Sequence, residues 1–463
     1  MPGPGKEAMG NRLAWVRAAA LLVGCVASSA RPLLSQPPDP LPLPARVLPD
    51  GAPRVAALPF TQPPATSAEP VASSALTFEQ LEQIAAAHNP TLAQAARRVE
   101  ALEGEQVQVG LYPNPVAGYI SEEMGEEGQA GQHGFYVRQE LVTANKLGWN
   151  RAVASQEVLQ ARWELQVQQW RVTNGVRIQA YEVLAAQRTV EVTEELYAIG
   201  KAAVDAAERL YQARQVSQVD VLQARVEANS AQLHLIAARK TYDAAWRRLA
   251  IVMGMPDMKP AALVNRLDDT LPEIAWDDTV QHLRDESPQI AAARTGVERA
   301  RNAVARACAG RRPNIETGAA VRRNDVSEDT TLSLQIGMPL MIFDRNQGNI
   351  MRAQAELLEA KQNLERVDLQ VQDRLAEAFR EYEIAREQVT QYRQAILPDA
   401  RKSLELTRAG YQQNEFGYLE LLTAQQTFTR TNLAYIAALR ELWLSITKID
   451  GMLLTGGLEA PQS

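Results

Sequence analysis

The sequence predicts a mainly α-helical fold with a small β part, built as two tandem repeats of a strand hairpin plus long coiled helices. Aromatic residues make up only 6% of the 463 residues, and Ala, Gln, Glu, Leu and Arg fill long stretches. This usage is typical of long packed helices. Short motifs recur in the same order about 200 residues apart, which indicates an internal repeat.

Residues 1–30 have the pattern of an export signal, in which basic residues precede a short apolar run and a cluster of small residues. Within the run, Leu22-Val23-Gly24-Cys25 is similar to a bacterial lipobox, whose cysteine becomes the acylated first residue. Cleavage after Ala30, with Cys25 only an apolar residue of the signal, is the alternative. No later stretch reaches the roughly 18 apolar residues of a spanning helix, so a membrane crossing would need strands.

Residues 31–75 are dense in proline and lack an apolar period, which predicts a disordered or extended tether. The folded part is expected to comprise a first repeat at 76–260 and a second at 261–455. A short tail at 456–463 follows.

The two repeats are defined by motifs that recur in order. Pro113-Asn114 matches Pro313-Asn314, and Tyr211-Gln212-Ala213 matches Tyr411-Gln412-Gln413. Each repeat is predicted to hold two short helices, a strand hairpin and a long helical hairpin. The expected strand hairpins are 113–143 and 313–343, and the expected helical turns lie near residues 215 and 415.

The strand hairpins each have one apolar face. Leu332, Leu334 and Ile336 alternate with polar residues, as Phe135 and Val137 do in the first repeat. This dyad pattern over about ten residues is typical of membrane barrel strands, although a half-buried sheet in a soluble domain shows it too. Four strands cannot close a barrel, so several copies are expected to pool them.

Long helical stretches are predicted from about 147 to 213 and from about 349 to 413. At about 1.5 Å per residue each would be roughly 100 Å long. In the second stretch an apolar ladder that includes Leu364, Val367 and Val371 alternates spacings of three and four. This coiled-coil pattern predicts lateral packing along the whole helix.

Two stretches carry a family resemblance: Pro339 to Asn349, where strand passes into helix, and Tyr411 to Gln425, at the second helical turn. Both are similar to the TolC family of outer-membrane efflux proteins, in its CzcC-like heavy-metal efflux branch. The resemblance covers about residues 76–453. It implies a homotrimer whose twelve strands close one β-barrel among outer-membrane lipid, continued by an α-helical barrel across the periplasm.

The resemblance also implies partners and cargo. The partners would be a periplasmic adaptor (membrane fusion protein) and an inner-membrane pump of RND type, and the cargo would be metal cations or small toxic compounds. The alternative is a non-conducting coiled-coil adaptor or structural envelope protein, which has no reason to carry apolar-faced hairpins at one end of its helices. The duct interpretation is therefore favoured.

Enzymes and nucleic-acid binders are not indicated. The sequence has no phosphate-binding glycine loop, nucleophile elbow or distinctive carboxylate pair, so we predict no catalysis and no cofactor. The net charge of -7 is spread over both signs, without a basic face for nucleic acid. The four histidines lack ligand spacing. Met253, Met255 and Met258 suit Cu(I), but core packing is the commoner use of methionine.

The helical turns gather charge and are candidates for a periplasmic gate, with Arg214 and Asp220 in the first turn and Glu415 and Glu420 in the second. Repeated by symmetry, such groups would form an electrostatic constriction or salt bridges that break on opening. Solvated helix ends of little energetic effect are the alternative. The resembled family usually has glycine where this chain has Arg214 and Asn414, so the first turn is expected to differ in shape.

Gly200 and Pro398 lie shortly before the two turns and are the poorest helix formers. They are candidates for flexure points that let the helical hairpins spread apart. Alternatively, they bend the helices inward so that a cylinder of helices tapers.

Mass analysis of the mature N-terminus tests the lipobox. We expect a diacylated or triacylated Cys25, because the lipobox pattern places cleavage directly before this residue. A mature chain that begins at Arg31 would contradict the lipobox and support cleavage after Ala30.

Overall fold

The computed structural model describes residues 75–123, 131–264, 267, 272–325, 327–413 and 415–460. The export signal with Cys25 lies outside these residues, as do Asn414 and the tether up to residue 74. Within the described residues the chain is mainly helical with one small antiparallel sheet, which confirms the predicted class. None of the described helices has an 18-residue stretch apolar enough to cross a bilayer.

Helices and strands follow one another in the same order in both halves of the described chain. The first half holds α1 (Phe78–His88), α2 (Pro90–Gln108), β1 (Val116–Glu122), β2 (Gln132–Leu141), α3 (Lys146–Gln212) and α4 (Gln218–Val252). The second half holds α5 (Trp276–Glu286), α6 (Pro288–Ala309), β3 (Ile315–Asn324), β4 (Thr330–Gly337), α7 (Gln347–Gln391), a π turn (Tyr392–Ile396), α8 (Leu397–Gln412) and α9 (Tyr418–Asp450).

Polar residues set where the helices begin. Thr77 and Gln80 form a capping box at the start of α1, with reciprocal hydrogen bonds of 3.3 and 3.0 Å. Asn89 caps α2 with its side chain. Asn145 and Asn346 precede α3 and α7 in the left-handed conformation, with φ of 53° and 61°. Asparagine tolerates this conformation better than most residues, so it can turn the chain from strand into long helix.

The two strand hairpins join into one sheet with the order β1-β2-β3-β4 and antiparallel pairing throughout. Residues paired across neighbouring strands share a face, so the register sorts the side chains. The first face is largely apolar and carries Tyr119, Phe135, Val137, Leu141, Ile315, Ala319, Val321, Leu332, Leu334 and Ile336. The second face is largely polar or small and carries Glu122, Gln132, Arg138, Glu316, Gly318, Ala320, Arg322, Thr331, Ser333 and Gln335.

The apolar face is uncovered in the single chain. Leu334 is 75% exposed and Ile336 is 79% exposed, whereas a monomeric soluble protein rarely leaves such a patch in water. On the opposite face Arg322 and Glu122 form a 2.8 Å ion pair across the sheet. The sheet is therefore two-sided, with charge on one side and exposed hydrocarbon on the other.

The main hydrophobic core lies where α1, α4, α5, α9 and residues 452–454 pack around the middle of α3 and α7. The indole N–H of Trp246 donates to the carbonyl of Met258 at 3.1 Å, and that of Trp443 donates to the carbonyl of Leu267 at 2.8 Å. Trp246 is thus buried and Trp443 half-buried, and neither indole leaves its donor unpaired.

The predicted apolar ladder of the second long stretch is buried along α7, including Val367 and Val371, but it does not continue unbroken. The π turn Tyr392–Ile396 follows α7, and Ile396, which the ladder includes, is 42% exposed. A π turn adds a residue to one turn of helix, which rotates later positions away from the seam. The helical stretch expected to about residue 413 is nevertheless present, because α7, the π turn and α8 follow one another without a gap from Gln347 to Gln412; the apolar spacing changes at the π turn.

Candidate functional site

The ends of the two helical hairpins, α3–α4 and α8–α9, pack together. A cluster of buried residues from all four helices joins them: Ala207, Val221, Ala224, Leu404, Tyr411, Tyr418, Leu421 and Ala424. We call this group the tip cluster. It places the two predicted turns next to each other, although they are about 200 residues apart in sequence.

Arg214 occupies the first turn in the left-handed conformation, with φ of 59°. The N–H of Gln215 donates to the carbonyl of Leu210 at 2.9 Å, and the N–H of Arg214 donates to that of Tyr211 at 2.9 Å, which closes the end of α3. The left-handed conformation costs a non-glycine residue about 1 kcal/mol. The turn thus takes the geometry that glycine favours while presenting an exposed cation.

Asp220 is held by the start of α4. Its Oδ2 accepts hydrogen bonds from the backbone N–H of Ser217 at 2.8 Å and from the Ser217 hydroxyl at 2.9 Å. Together the two residues form a capping box. The carboxylate therefore has a structural role at the helix start as well as a charge at the turn.

Glu415 and Glu420 in the second turn are exposed. The backbone N–H of Glu415 donates to the carbonyl of Gly410 at 2.8 Å, which closes the end of α8. Within the described residues neither carboxylate forms an ion pair, and neither does Arg214. Of the four charged candidates, only Asp220 has a side chain fixed by neighbours.

Two tyrosines flank the second turn, and neither is among the gate candidates predicted from the sequence. Tyr411 and Tyr418 are each 5% exposed, with ring centroids 6.1 Å apart in an edge arrangement. Neither hydroxyl has a hydrogen-bond partner among the described residues. Leaving a buried hydroxyl unpaired costs roughly 1–3 kcal/mol of folding free energy. A hydrogen-bond partner supplied from outside the described residues would therefore stabilise either tyrosine.

The first hairpin acts electrostatically on these tyrosines. Burial raises the pKa of Tyr418 to about 12, with smaller contributions from Glu227, Tyr411 and Asp220. Burial and then Asp220 also raise the pKa of Tyr411. Negative charge near a phenol disfavours its ionisation. Asp220 of one hairpin therefore lies close enough to act on both tyrosines of the other.

The two flexure candidates have different surroundings. Gly200 is buried, and a Cβ built on it would lie 3.2 Å from the Cα of Ala228 in α4, so glycine here allows α3 and α4 to approach closely. Pro398 lies directly after the π turn, where α8 continues the preceding helix, so its missing N–H leaves one carbonyl of the preceding turn without its helical hydrogen bond. Neither placement distinguishes flexure from a fixed bend.

The methionine cluster packs into the protein. Met253 is fully buried in the main core, and Met258 packs against that core, as the packing interpretation expects. Among the described residues, no group of three histidine, cysteine, aspartate or glutamate residues is arranged to hold a metal ion.

Comparison with known proteins places these features in a family. The model of the outer membrane efflux protein family matches residues 81–255 and 279–449. The cobalt-zinc-cadmium resistance protein CzcC of Cupriavidus metallidurans is 26% identical over 386 residues, which cover 82% of this chain and 91% of CzcC.

Solved structures share the fold. A membrane protein from Pseudomonas aeruginosa superposes with a TM-score of 0.70 at 17% identity, covering 82% of this chain and 91% of that protein. A structure of CusC gives a TM-score of 0.69 at 16% identity, covering 82% and 92%.

The chain belongs to the outer membrane efflux protein family. It is a channel component of an efflux system, situated in the outer membrane and extending into the periplasm. The family is one of efflux ducts rather than enzymes, which agrees with the lack of catalytic motifs in the sequence.

Gly200→Leu tests the close helix approach. We expect it to lower the free energy of unfolding by about 1–3 kcal/mol through overpacking against Ala228, measured by denaturant titration of the purified protein in detergent.

Gly296→Leu is the matched control for Gly200→Leu. Gly296 also lies inside a helix, but the nearest atom to its built Cβ is the Gln160 Oε1 at 3.9 Å. Leucine there should be neutral or stabilising by up to about 1 kcal/mol, because leucine is the better helix former. Equal destabilisation by both changes would argue against a special packing role for Gly200.

Proposed function

We propose that the protein is a passive exit duct that works as a homotrimer. Twelve strands, four from each copy, close a β-barrel in the outer membrane, and an α-helical barrel continues it across the periplasm. The observation that carries this proposal is the two-sided sheet, with its exposed apolar face and its edge strands β1 and β4. Its polar face then lines the water-filled interior and its apolar face contacts lipid.

The edges of the sheet require a neighbour. In lipid every backbone N–H and C=O group needs a hydrogen-bond partner within the protein, yet β1 and β4 each pair on one side only in the described chain. Pairing β4 of one copy with β1 of the next satisfies both edges and closes the ring. The number three comes from the family resemblance rather than from the sheet.

The helices also offer a surface for a neighbouring copy. Val219, Leu222, Val226, Leu233 and Ile236 of α4 are 48–68% exposed. Their spacings of three, four and seven match a coiled-coil seam. We propose that this seam packs against the adjacent copy below the barrel, so that two tandem repeats per chain build one continuous wall.

Direction and energy are supplied by partners under this proposal, a periplasmic adaptor and an inner-membrane pump of RND type. The cargo is proposed to be metal cations or small toxic compounds, a proposal supported by the cobalt-zinc-cadmium resistance named for CzcC. A wide duct does not need to bind its cargo, so selection would rest with the pump. A non-conducting adaptor outside the membrane would leave the apolar face of the sheet exposed to water.

Leu334→Arg tests the lipid-facing side of the sheet. A charge at mid-membrane depth costs about 2–4 kcal/mol in each copy, so we expect much less trimer in the outer-membrane fraction. Detergent extraction followed by light scattering measures the trimer.

Gln335→Arg is the control for this change, because it places the same side chain on the opposite face of the same strand. It should leave the amount of trimer nearly unchanged. A water-soluble monomer from the unaltered chain, or equal loss with both variants, would contradict the barrel.

The tip cluster is proposed to form the periplasmic gate, with the charge of Asp220, repeated by the symmetry of the trimer, contributing to an electrostatic constriction beside Tyr411 and Tyr418. Asp220→Asn removes that charge but keeps an oxygen that can accept hydrogen bonds from Ser217. We expect a higher leak conductance of the purified protein in planar bilayers. The physical reason is that the variant removes the Asp220 charge from the proposed electrostatic constriction.

Ser217→Ala separates gating from helix capping, because it weakens the capping box by about 1 kcal/mol without altering charge. Its leak conductance should stay near that of the unaltered protein. Glu420→Ala examines the second turn in the same assay and is also expected to raise the leak. Unchanged conductance in Asp220→Asn would remove Asp220 from the gate.

A further inference from the structure

A groove of about 690 Å³ runs between α3, α6 and α7, and one end of it holds an unpaired buried arginine. Arg171 on α3 is only 8% exposed and lines this groove. Within the described part of the chain its Nε has no hydrogen-bond partner and its guanidinium no ion pair. A buried charge without a partner is strongly unfavourable, so its persistence needs an explanation.

A second arginine adds to this charge. Arg374 on α7 donates to the side chain of Gln289 at 2.6 Å and to the backbone carbonyls of Leu453 and Gln370 at 3.4 and 3.3 Å. All of these acceptors are neutral. Burial lowers the pKa of Arg374, and the positive charge of Arg171 lowers it further. The two guanidinium groups therefore lie close enough to repel each other.

The carboxylates of the groove lie towards its other end. Glu164 precedes Arg171 by seven residues on α3, roughly 10 Å along the helix axis, and it is 4.0 Å from Arg98. Glu157 lies a further two turns away, and Glu356 and Glu359 line the groove on α7 at least three turns before Gln370, the groove residue that accepts from Arg374. Within the described residues, no carboxylate forms a salt bridge with Arg374 either. The charge of this arginine pair is thus not balanced by the described chain.

The start of α6 strengthens the positive potential at the same place. Gln289, which holds Arg374, is the second residue of this 22-residue helix, whose N-terminal end carries a partial positive charge. It also lines the groove together with Arg171. Arg171 lines the groove, and Arg374 is held beside it by the groove residue Gln289. Together with the helix N-terminus they supply the elements of an oxyanion site.

We propose that Arg171 and Arg374 bind a small doubly charged oxyanion at the end of the groove beside Gln289. Two negative charges balance the two guanidinium groups, and several oxygen atoms can accept the donors that Arg171 leaves free. The bound anion joins α3 to α6 and α7 at the junction where α6 begins. This site is independent of the proposed gate, which lies at the tip cluster.

Inorganic phosphate is the probe, added to the purified full-length protein in detergent and measured by calorimetric titration against sodium chloride of equal ionic strength. We expect saturable binding of one phosphate per chain. Arg171→Gln should weaken it at least about tenfold, the loss expected when charge-assisted hydrogen bonds are removed. Arg171→Lys keeps the charge but loses the planar guanidinium. Its affinity for phosphate should lie between those of the unaltered protein and of Arg171→Gln.

Arg299→Gln is the matched control, because Arg299 lines the same groove but lies ten residues beyond Gln289 on α6, roughly 15 Å along the helix. It should bind phosphate as the unaltered protein does. Absence of saturable binding at matched ionic strength would overturn the site, whether the arginines are left free or are covered by a carboxylate of a neighbouring copy. Equal binding by Arg171→Gln would also overturn it.

A chemical test does not depend on the folding of a variant. Phenylglyoxal modifies accessible arginines of the unaltered protein, and peptide mass spectrometry reports each position. Phosphate should slow modification of Arg171 and Arg374 at least severalfold while leaving Arg299 unaffected. Uniform protection of all three, or protection of none, would contradict the proposal.

Discussion

Hydrogen bonding at the two edges of the four-stranded sheet is the constraint on which the proposed assembly depends. A sheet in lipid has to close, and closure through β1 and β4 fixes the order in which copies meet. Because α3 and α7 begin within ten residues of the ends of β2 and β4, the strand order would also set the order of the long helices in the proposed wall. The proposed packing of α4 against the adjacent copy would follow from the same closure, whereas the two hairpin tips already meet within one chain.

Much of this fold could be predicted from periodicity, because long regular elements repeat their signal many times. Spacings of three and four indicated the long helices, and alternation indicated the strands. The pairing of β2 with β3 could not be predicted from periodicity, because pairing between strands far apart in sequence leaves no local pattern. The π turn at Tyr392–Ile396 was also missed: Pro398 indicated a disturbance of the helix, but not that an extra residue would precede it.

The candidate gate was predictable in position but not in chemistry. The turn motifs placed Asp220 and the other charges at the tips. The proximity of Asp220 to Tyr411 and Tyr418 depends instead on how two hairpins from opposite halves of the chain pack. The capping role of Asp220 could have been found from sequence, because Ser217 followed three residues later by an acidic residue is a helix-start signal. Arg171 gave no signal, since arginine is a common residue of helix surfaces.

The two places where a short helix begins beside a long one show how the halves differ. Where α2 begins, the side chain of Asn89 donates to the carbonyl of Val252 at 2.8 Å, so neutral groups close the junction. Where α6 begins, the hydroxyl of Ser287 is buried and has no partner among the described residues, and Arg374 bridges Gln289 and Leu453 instead. The first junction is held by neutral groups, whereas the second lies beside the positive charges of Arg374 and Arg171. An anion bound there would therefore stabilise the second junction selectively, at a point of α3 and α7 between the strands and the tip cluster.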